Sequence, residues 1–383
     1  MIKKYKVAFP ILGNYFVVAY NMLKNLVDLT YVEIMKPKKI TSKTLQLGSK
    51  VSPDFVCVPF KYTIGNYIEA LDSGANVLIQ AGGGCRYGYY SEVQEQILKD
   101  MGYTFIYISF VEGRGVNLFD IYKKIKLLNK KLSFKKFIYF GYLAVKMVDI
   151  LDKFETYIRE NIVYETLKGS FEIVHENFLK ELEDICSIDD LNRLKVKYMN
   201  KIKNIQLKQL KVSENIKVGI VGELYTSMEP FATFFLENEL AKMGVKTKRY
   251  TTVTYLLFEK KRQEKNVLKK ASKYIKYTLG ADGAESVSHS VELIDAGYDG
   301  IIHIKPFGCT PEVNAMPILQ KISRDTSIPI MYLTFDSQTS EAGLQTRIEA
   351  FYDMLKMKKD SEGMELKFKK ENKVKQMEVK QYD

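Results

Sequence analysis

The sequence predicts an α/β protein with two Rossmann-like parallel-sheet domains and a helical insert. Short apolar runs of strand length alternate with segments of helical spacing over residues 1–115 and again over residues 215–355. Residues 116–214 contain few glycines, and their apolar residues recur every three or four positions, which predicts a helical subdomain. Residues 356–383 are highly charged and lack an apolar face, so we expect a frayed or disordered tail.

The first α/β domain is predicted to begin with a core strand in the sequence KVAFPI, which precedes a helix from Asn14 to Leu26. Later strands are indicated by apolar runs bounded by turn residues. They are predicted at residues 31–35, 54–60, 75–80 and 103–110. The glycine-rich turn AGGGCRYG and a helix over residues 89–101 separate the last two strands. This alternation is typical of a parallel sheet.

The second α/β domain shows the same alternation. Its strands are predicted at residues 215–225, 246–251, 299–309 and 327–336. Pro230 suits the first turn of one helix, and residues 286–297 have the spacing of another. The tripeptide Thr310-Pro311-Glu312 is a strong helix start, directly after the third strand.

The net charge is +12, and much of the excess is lysine in residues 121–147, 193–217 and 242–276. Solvated helix faces are the simplest explanation. An acidic protein or a polyanionic ligand such as coenzyme A is also compatible, and nucleic-acid binding ranks last because no reading motif accompanies the lysines. No apolar run has the roughly 18 residues of a membrane helix. With four cysteines, which suit a reducing compartment, we expect a cytoplasmic protein without a membrane partner.

Three of the four cysteines, Cys57, Cys85 and Cys309, are predicted to lie where a strand gives way to a helix. In an open α/β sheet such positions converge on one cleft. Helix N-termini lower the pKa of a thiol, and three thiolates can hold iron, zinc or an iron–sulfur cluster with one position open. Two alternatives remain: buried thiols that act as small apolar residues, and a redox or nucleophilic thiol.

Glycines near these cysteines and near the end of the strand at 215–225 are candidate cofactor-binding positions. A residue without a side chain lets the backbone come close to a bulky group. The candidates are Gly83, Gly84, Gly222 and Gly308.

Glu223, Arg86 and Lys305 are the candidate catalytic residues. Glu223 ends a buried strand, where ligand contacts concentrate, and can act as an acid–base group or a hydrogen-bond partner. A carboxylate that caps the following helix is an equal alternative. Arg86 and Lys305 flank cysteines and can pair with an anionic ligand, although each also suits a plain ion pair.

The fourth cysteine and the histidines give weaker signals. Cys186 lies in a helical segment and is predicted to be a core residue. His175 and His289 are predicted to be surface or capping residues. His303 alternates with isoleucines in a strand, so it faces either the cleft or a domain contact, and a structural role is favoured.

Several motifs resemble one known family. They are KVGIVGELYTSMEPFATFFLENELAKMGV, CVPFKYTIGNYIEALDSGANVLIQAGGGCRYGYY, DGIIHIKPFGCTPE and IPIMYLTFDSQTSEAGLQ, which together cover both α/β segments. The combination around Cys57, Cys85, Gly222, Glu223 and Cys309 resembles the 2-hydroxyacyl-CoA dehydratase superfamily, in which it is similar to the 2-hydroxyglutaryl-CoA dehydratase D-component. It is most similar to the CoA-enzyme-activase-related branch, whose members have no assigned acyl-CoA substrate.

The resemblance implies a [4Fe–4S] cluster held between the two α/β domains by three cysteines, which correspond to Cys57, Cys85 and Cys309. The fourth iron position is left for another ligand. It also implies a partner, an ATPase activator of the actin-like fold that supplies low-potential electrons. One electron delivered to a 2-hydroxyacyl-CoA would give a ketyl radical and allow loss of hydroxide. Glu223 and its candidate partners would orient the ligand or tune the cluster.

The chain itself lacks the phosphate loops of the actin-like ATPase, so it is not the activator. The resemblance implies an electron-transfer, reductase or dehydratase-like lyase component from an anaerobe, which binds an acyl-CoA or another small molecule. Assembly as a homodimer or heterodimer is compatible with this. The alternative is a non-catalytic scaffold or partner-binding protein of the same fold, with inert cysteines.

Overall fold

A computed structural model describes residues 4–80, 89–110, 117–209 and 215–379, with side chains described up to residue 361. It contains two four-stranded parallel sheets and many helices, which confirms the predicted α/β fold class. Within these ranges, no helix is long and apolar enough to cross a membrane.

The first sheet lies in the N-terminal part of the chain. Its strands are β1 (Tyr5–Ala8), β2 (Val32–Ile34), β3 (Val77–Gln80) and β4 (Ile106–Ser109). The strand order is β2-β1-β3-β4, and each neighbouring pair is parallel. The helices of this part are α1 (Phe16–Leu26), α2 (Ser42–Val51), α3 (Val58–Asp72) and α4 (Tyr90–Asp100). All four residues of β3 are buried, as expected for a central parallel strand.

The strand predicted at residues 54–60 is wrong. Cys57 is instead the N-cap of α3, and Pro59 lies in the first turn of that helix. A short apolar run such as FVCVPF fits a buried strand and a buried helix equally well, and α3 is buried over most of its length. Cys57 therefore follows a turn rather than a strand, although it still sits at a helix N-terminus.

Two glycines explain how α2, a helix that the sequence analysis did not predict, packs on α3. A Cβ atom on Gly48 would lie 1.8 Å from the carbonyl oxygen of Lys61. A Cβ atom on Gly65 would lie 2.1 Å from that of Thr44. The two helices therefore touch backbone to backbone, which only glycine permits.

The middle of the chain is helical, as predicted. Its helices are α5 (Leu118–Ile125), α6 (Phe134–Asn161), α7 (Ser170–Leu182) and α8 (Ile188–Lys203). Its core is aromatic: Phe154 of α6 stacks on Phe178 of α7 with ring centroids 4.2 Å apart, and Tyr198 of α8 meets both rings edge-on. Val17 and Val18 of α1 join the same cluster, so this core is shared with the first α/β domain.

The second sheet repeats the order of the first. Its strands are β5 (Ile216–Gly222), β6 (Val245–Arg249), β7 (Gly300–Pro306) and β8 (Ile330–Phe335). They are parallel and arranged β6-β5-β7-β8. The accompanying helices are α9 (Leu224–Met228), α10 (Leu236–Lys242), α11 (Lys260–Lys270), α12 (Gly283–Asp295), α13 (Thr310–Thr326) and α14 (Glu341–Val379).

Two expectations about the periphery are wrong. The backbone of α14 continues as helix to Val379, so the described part of the segment after residue 355 is helical rather than frayed. Cys186 is exposed, because it lies in the turn between α7 and α8 and not on a buried helix face.

The histidines also differ from expectation. His289 is buried in α12, where its ring stacks on Tyr250 with centroids 4.5 Å apart. Burial lowers the pKa of His289 to about 4, and the nearby Lys270 and Lys260 add to this effect against the carboxylate of Glu292. His175 is partly buried, with Nε2 at 3.2 Å from Glu155. Neither residue is a simple surface or capping group.

Because His289 is buried, we expect the free energy of unfolding to decrease in acid. Its pKa is about 4 in the folded chain and about 6.5 when unfolded, so the unfolded state takes up the proton first. Stability is then lost as the pH falls from about 6.5 to 4, by up to ~1.4 kcal/mol per pH unit. Urea unfolding across this range should show that loss in the parent relative to His289→Gln. Parallel stability–pH curves for the two proteins would contradict the assignment.

Candidate functional site

The carboxyl ends of the two sheets meet. In each sheet the chain reverses its winding between the two central strands, β1 and β3 or β5 and β7, which opens a crevice at their carboxyl ends. The backbone N–H of Gly13, after β1, donates to Glu229 Oε2, after β5, at 2.7 Å. The hydroxyl of Tyr225 donates to the carbonyl of Ile11 at 3.4 Å. The loops that leave β1 and β5 are therefore in direct contact.

A continuous apolar cluster supports this contact. Val58 and Tyr62 of α3 belong to the same buried cluster as Ile304 of β7 and Tyr225 of α9. The rings of Tyr62 and Tyr225 are stacked with centroids 6.1 Å apart. The helix that begins after Cys57 is thus packed against the second sheet as well as the first.

The structure brings Cys57 and Cys309 to this junction. Each is the N-cap of a buried or half-buried helix, α3 and α13, and each is partly buried. Cys57 Sγ lies 3.2 Å from the hydroxyl of Tyr90 at the start of α4. The turn at Gly308 lies against the carbonyl oxygen of Phe55, which a Cβ atom on that glycine would approach to 3.5 Å. The loops before the two cysteines therefore touch.

The environment of Cys309 is electrostatically unusual. Burial raises the pKa of its thiol, and the carboxylates of Glu223 and Glu312 and the thiol of Cys57 act in the same direction. The backbone amide of Glu312, one turn into α13, opposes them. Cys57 and Glu223 are thus close enough to affect the ionisation of Cys309.

Glu223 is the N-cap of α9, as one of the two sequence interpretations proposed. Its carboxylate accepts hydrogen bonds from the N–H groups of Tyr225 at 3.0 Å and Thr226 at 2.9 Å, and from Thr226 Oγ1 at 2.7 Å. Burial raises the pKa of Glu223 to about 7 in spite of these bonds, and the nearby Asp282 carboxylate adds to the increase. The group can therefore hold or release a proton near neutral pH.

Lys305 is buried at the end of β7, and its ammonium group makes no hydrogen bond or ion pair with the residues that the structure describes. Burial lowers the pKa of Lys305, while the nearby Cys309 and Glu312 favour its charged form. A buried ammonium group beside Cys309 and Glu312 is suited to balance negative charge in the crevice.

Behind Cys309 lies a polar triad that sequence reasoning missed. The carboxylate of Glu312 is fully buried and accepts from Ser286 Oγ at 2.9 and 3.1 Å, and it lies 2.7 Å from His303 Nε2. Glu312 looked like a helix-start residue, so its inward direction was not visible in the sequence. The triad joins β7, α12 and α13, and it fixes the helix turn that carries Cys309.

Two of the four candidate glycines, Gly222 and Gly308, lie in the described part of the chain. Gly222 has φ +142°, and a Cβ atom there would lie 1.8 Å from the carbonyl oxygen of Ile304. Its lack of a side chain lets β5 and β7 approach each other, which is a packing role at the edge of the crevice. Gly308 has φ +77°, a conformation that favours glycine in the turn before Cys309.

Several predicted site residues lie outside the described part of the chain. They are Gly83, Gly84, Cys85 and Arg86. Among the described residues, no group of three His, Cys, Asp or Glu side chains is arranged to hold a metal ion. That observation does not include Cys85, so the three-cysteine ligand set remains a prediction.

The second α/β domain is similar to a known family. Residues 198–355 match the model of the family described as 2-hydroxyglutaryl-CoA dehydratase, D-component. The match includes the second sheet, Glu223, Lys305 and Cys309. No curated protein matches the chain.

The approach of β5 to β7 gives a stability prediction. Gly222→Ala places a methyl group against the Ile304 carbonyl in a backbone region that non-glycine residues rarely adopt, so we expect a loss of ~3 kcal/mol or more in unfolding free energy. Gly244→Ala is the matched control, because it has φ +82° but no atom within 4 Å of the added Cβ. It should cost only about 1–2 kcal/mol. Equal losses in urea unfolding would contradict a steric role for Gly222.

Proposed function

We propose that this chain, whose residues 198–355 match the model of the 2-hydroxyglutaryl-CoA dehydratase D-component family, is an iron–sulfur protein of the 2-hydroxyacyl-CoA dehydratase superfamily. In this proposal Cys57, Cys85 and Cys309 hold a [4Fe–4S] cluster between the two α/β domains. One observation carries it: Cys57 and Cys309, which are remote in sequence, reach the same junction from different domains, each at a helix N-terminus.

The donor set suits such a cluster. Thiolates are the usual ligands of iron–sulfur clusters, and three of them leave one iron position open. The partial positive charge of a helix N-terminus favours a bound anion. Burial raises the pKa of Cys309 without a ligand, so cluster binding would have to release its proton. The third cysteine, Cys85, follows β3 in the sequence, and β3 is the neighbour of β1 in the first sheet.

The charged residues around the cysteines would assist. Lys305, at the end of β7, would balance the negative charge of the thiolates. Glu223, with a pKa of about 7, would hold or transfer a proton beside the open position. Arg86, next to Cys85, would orient an anionic ligand.

When bound, the cluster would supply low-potential one-electron transfer. We propose that the chain receives its electrons from an ATPase activator of the actin-like fold. The electron would then pass to a ligand in the crevice, such as a 2-hydroxyacyl-CoA. An activator partner fits the D-component family that residues 198–355 match. The reaction would be a dehydration or a reduction.

Cysteine variants test the ligand set. We expect about four iron and four sulfide per chain in protein reconstituted without oxygen, and visible absorption that dithionite bleaches. Cys57→Ser, Cys85→Ser and Cys309→Ser should each lose most of the iron. Cys186→Ser is the matched control, because Cys186 is exposed in the helical region, and it should retain the full content.

Other outcomes have clear meanings. A Cys85→Ser variant with full iron content would exclude the three-cysteine site. Parent protein that stays colourless after reconstitution, with normal stability, would favour a scaffold or partner-binding role for the same fold. Circular dichroism on every variant separates loss of the cluster from loss of the fold.

A second experiment tests the role of Lys305. Replacing a buried cation beside a cluster removes a charge that favours the more negative, reduced state. Lys305→Met should therefore lower the reduction potential of the reconstituted protein at unchanged iron content. Lys321→Met, on the exposed side of α13, should leave the potential as in the parent. Equal potentials for all three proteins would argue against charge balance by Lys305.

A further inference from the structure

The helical region carries an uncovered surface that is both apolar and basic. On α6, Phe134, Ile138 and Tyr142 repeat at four-residue intervals, so they lie along one side of the helix. Their side chains are exposed at 45%, 41% and 52%, respectively. On the neighbouring α5, Leu118 and Phe119 are exposed at 56% and 53%. We name these exposed sides of α5 and α6, with the loop between them, the basic–aromatic face.

The charge of this face is almost entirely positive. Seven exposed lysines lie between residues 123 and 146, whereas Asp120 is the one acidic residue between residues 117 and 148. None of these exposed lysines forms a salt bridge with a residue that the structure describes. On other helices some exposed lysines are paired, as Lys270 is with Glu292 and Lys197 with Glu181.

The lysines and rings of the face are interleaved. Lys123 Nζ lies 4.7 Å from the ring centroid of Phe119, and Lys146 Nζ lies 5.3 Å from that of Tyr142. Such lysine stems lie along apolar surface while their ammonium groups remain at its edge. The apolar groups and the cations can therefore reach a single partner at the same time.

We propose that the basic–aromatic face binds the surface of an anionic lipid bilayer. Rings and aliphatic side chains would enter the boundary between headgroups and acyl chains, and the lysines would contact lipid phosphates. Clusters of four to eight lysines beside apolar residues on a helix are typical of this mode. The proposal revises the sequence-based expectation of no membrane partner, which rested on the lack of a spanning helix.

Other partners fit the face less well. The buried centre of a protein interface is depleted in lysine, and here lysine lies among the apolar residues instead of around them. A second copy of the chain would bring the same positive charge to the contact. Bases of single-stranded RNA would stack on the rings, but stacking gives no contact for the exposed aliphatic side chains of Leu118, Leu127 and Ile138.

Vesicle co-sedimentation of the full chain tests the proposal. We expect binding to vesicles of phosphatidylcholine mixed with phosphatidylglycerol, weak binding to phosphatidylcholine alone, and loss of binding at high salt. Changing four lysines to glutamine should weaken binding at least about tenfold, since each lysine near an anionic surface contributes to binding. These four are Lys126, Lys130, Lys135 and Lys146.

Two further variants complete the test. Phe134→Ser/Ile138→Ser/Tyr142→Ser keeps every charge and should also weaken binding at least about tenfold, because the apolar contribution is removed. The matched control changes four exposed lysines of another region to glutamine and should bind like the parent. They are Lys261, Lys265, Lys269 and Lys276.

Three results would overturn the proposal. One is equal binding of the parent and the two face variants to anionic vesicles. Another is equal binding of the parent to both vesicle types. The third is no vesicle binding by the parent together with salt-sensitive binding of single-stranded RNA that the face variants lose. Circular dichroism of each variant confirms that its fold is intact.

Discussion

The contact between the loops that leave β1 and β5 is the constraint on which the site depends. Glu229 is buried there and accepts the backbone N–H of Gly13, while burial raises the pKa of its carboxyl group. A buried carboxylate is costly unless its oxygens are satisfied, so this bond holds the two sheets in one relative position. That position brings Cys57 and Cys309 together. Without it, Cys57 and Cys309 would lie at the separate crevices of their own domains.

The long helix α6 reinforces the same arrangement from the side. Asp152, Glu155 and Arg159 lie on one face of the helix at spacings of three and four residues. Asp152 accepts from the hydroxyl of Tyr15 and from the N–H of Thr254, so it contacts both α/β domains. Arg159 donates to Glu237 at 2.9 Å. Side chains of α6 thus join the helical region to both α/β domains through hydrogen bonds.

Local patterns were enough to predict the fold class but not every element. The apolar runs at 75–80 and 299–309 are bounded by clear turn residues, and both contain strands. The run at 54–60 was assigned to the wrong type of element, because periodicity cannot distinguish a short buried strand from a buried helix. Tertiary packing decided it, since Gly65 allows α3 to lie directly on α2. Tertiary packing also decided the burial of His289, whose ring stacks on Tyr250 directly after β6.

The sequence by itself determined the alternation of strands and helices, the candidate cysteines and Glu223 as a residue at a strand end. These features depend on neighbours within a few positions of the chain. Only the tertiary structure decided that Cys57 meets Cys309, that Glu312 turns inward to His303, and that Gly222 serves the close approach of β5 and β7. Each of these depends on groups that are distant in sequence, so local patterns predicted at most that the cysteines converge on a cleft and not which side chains they contact there.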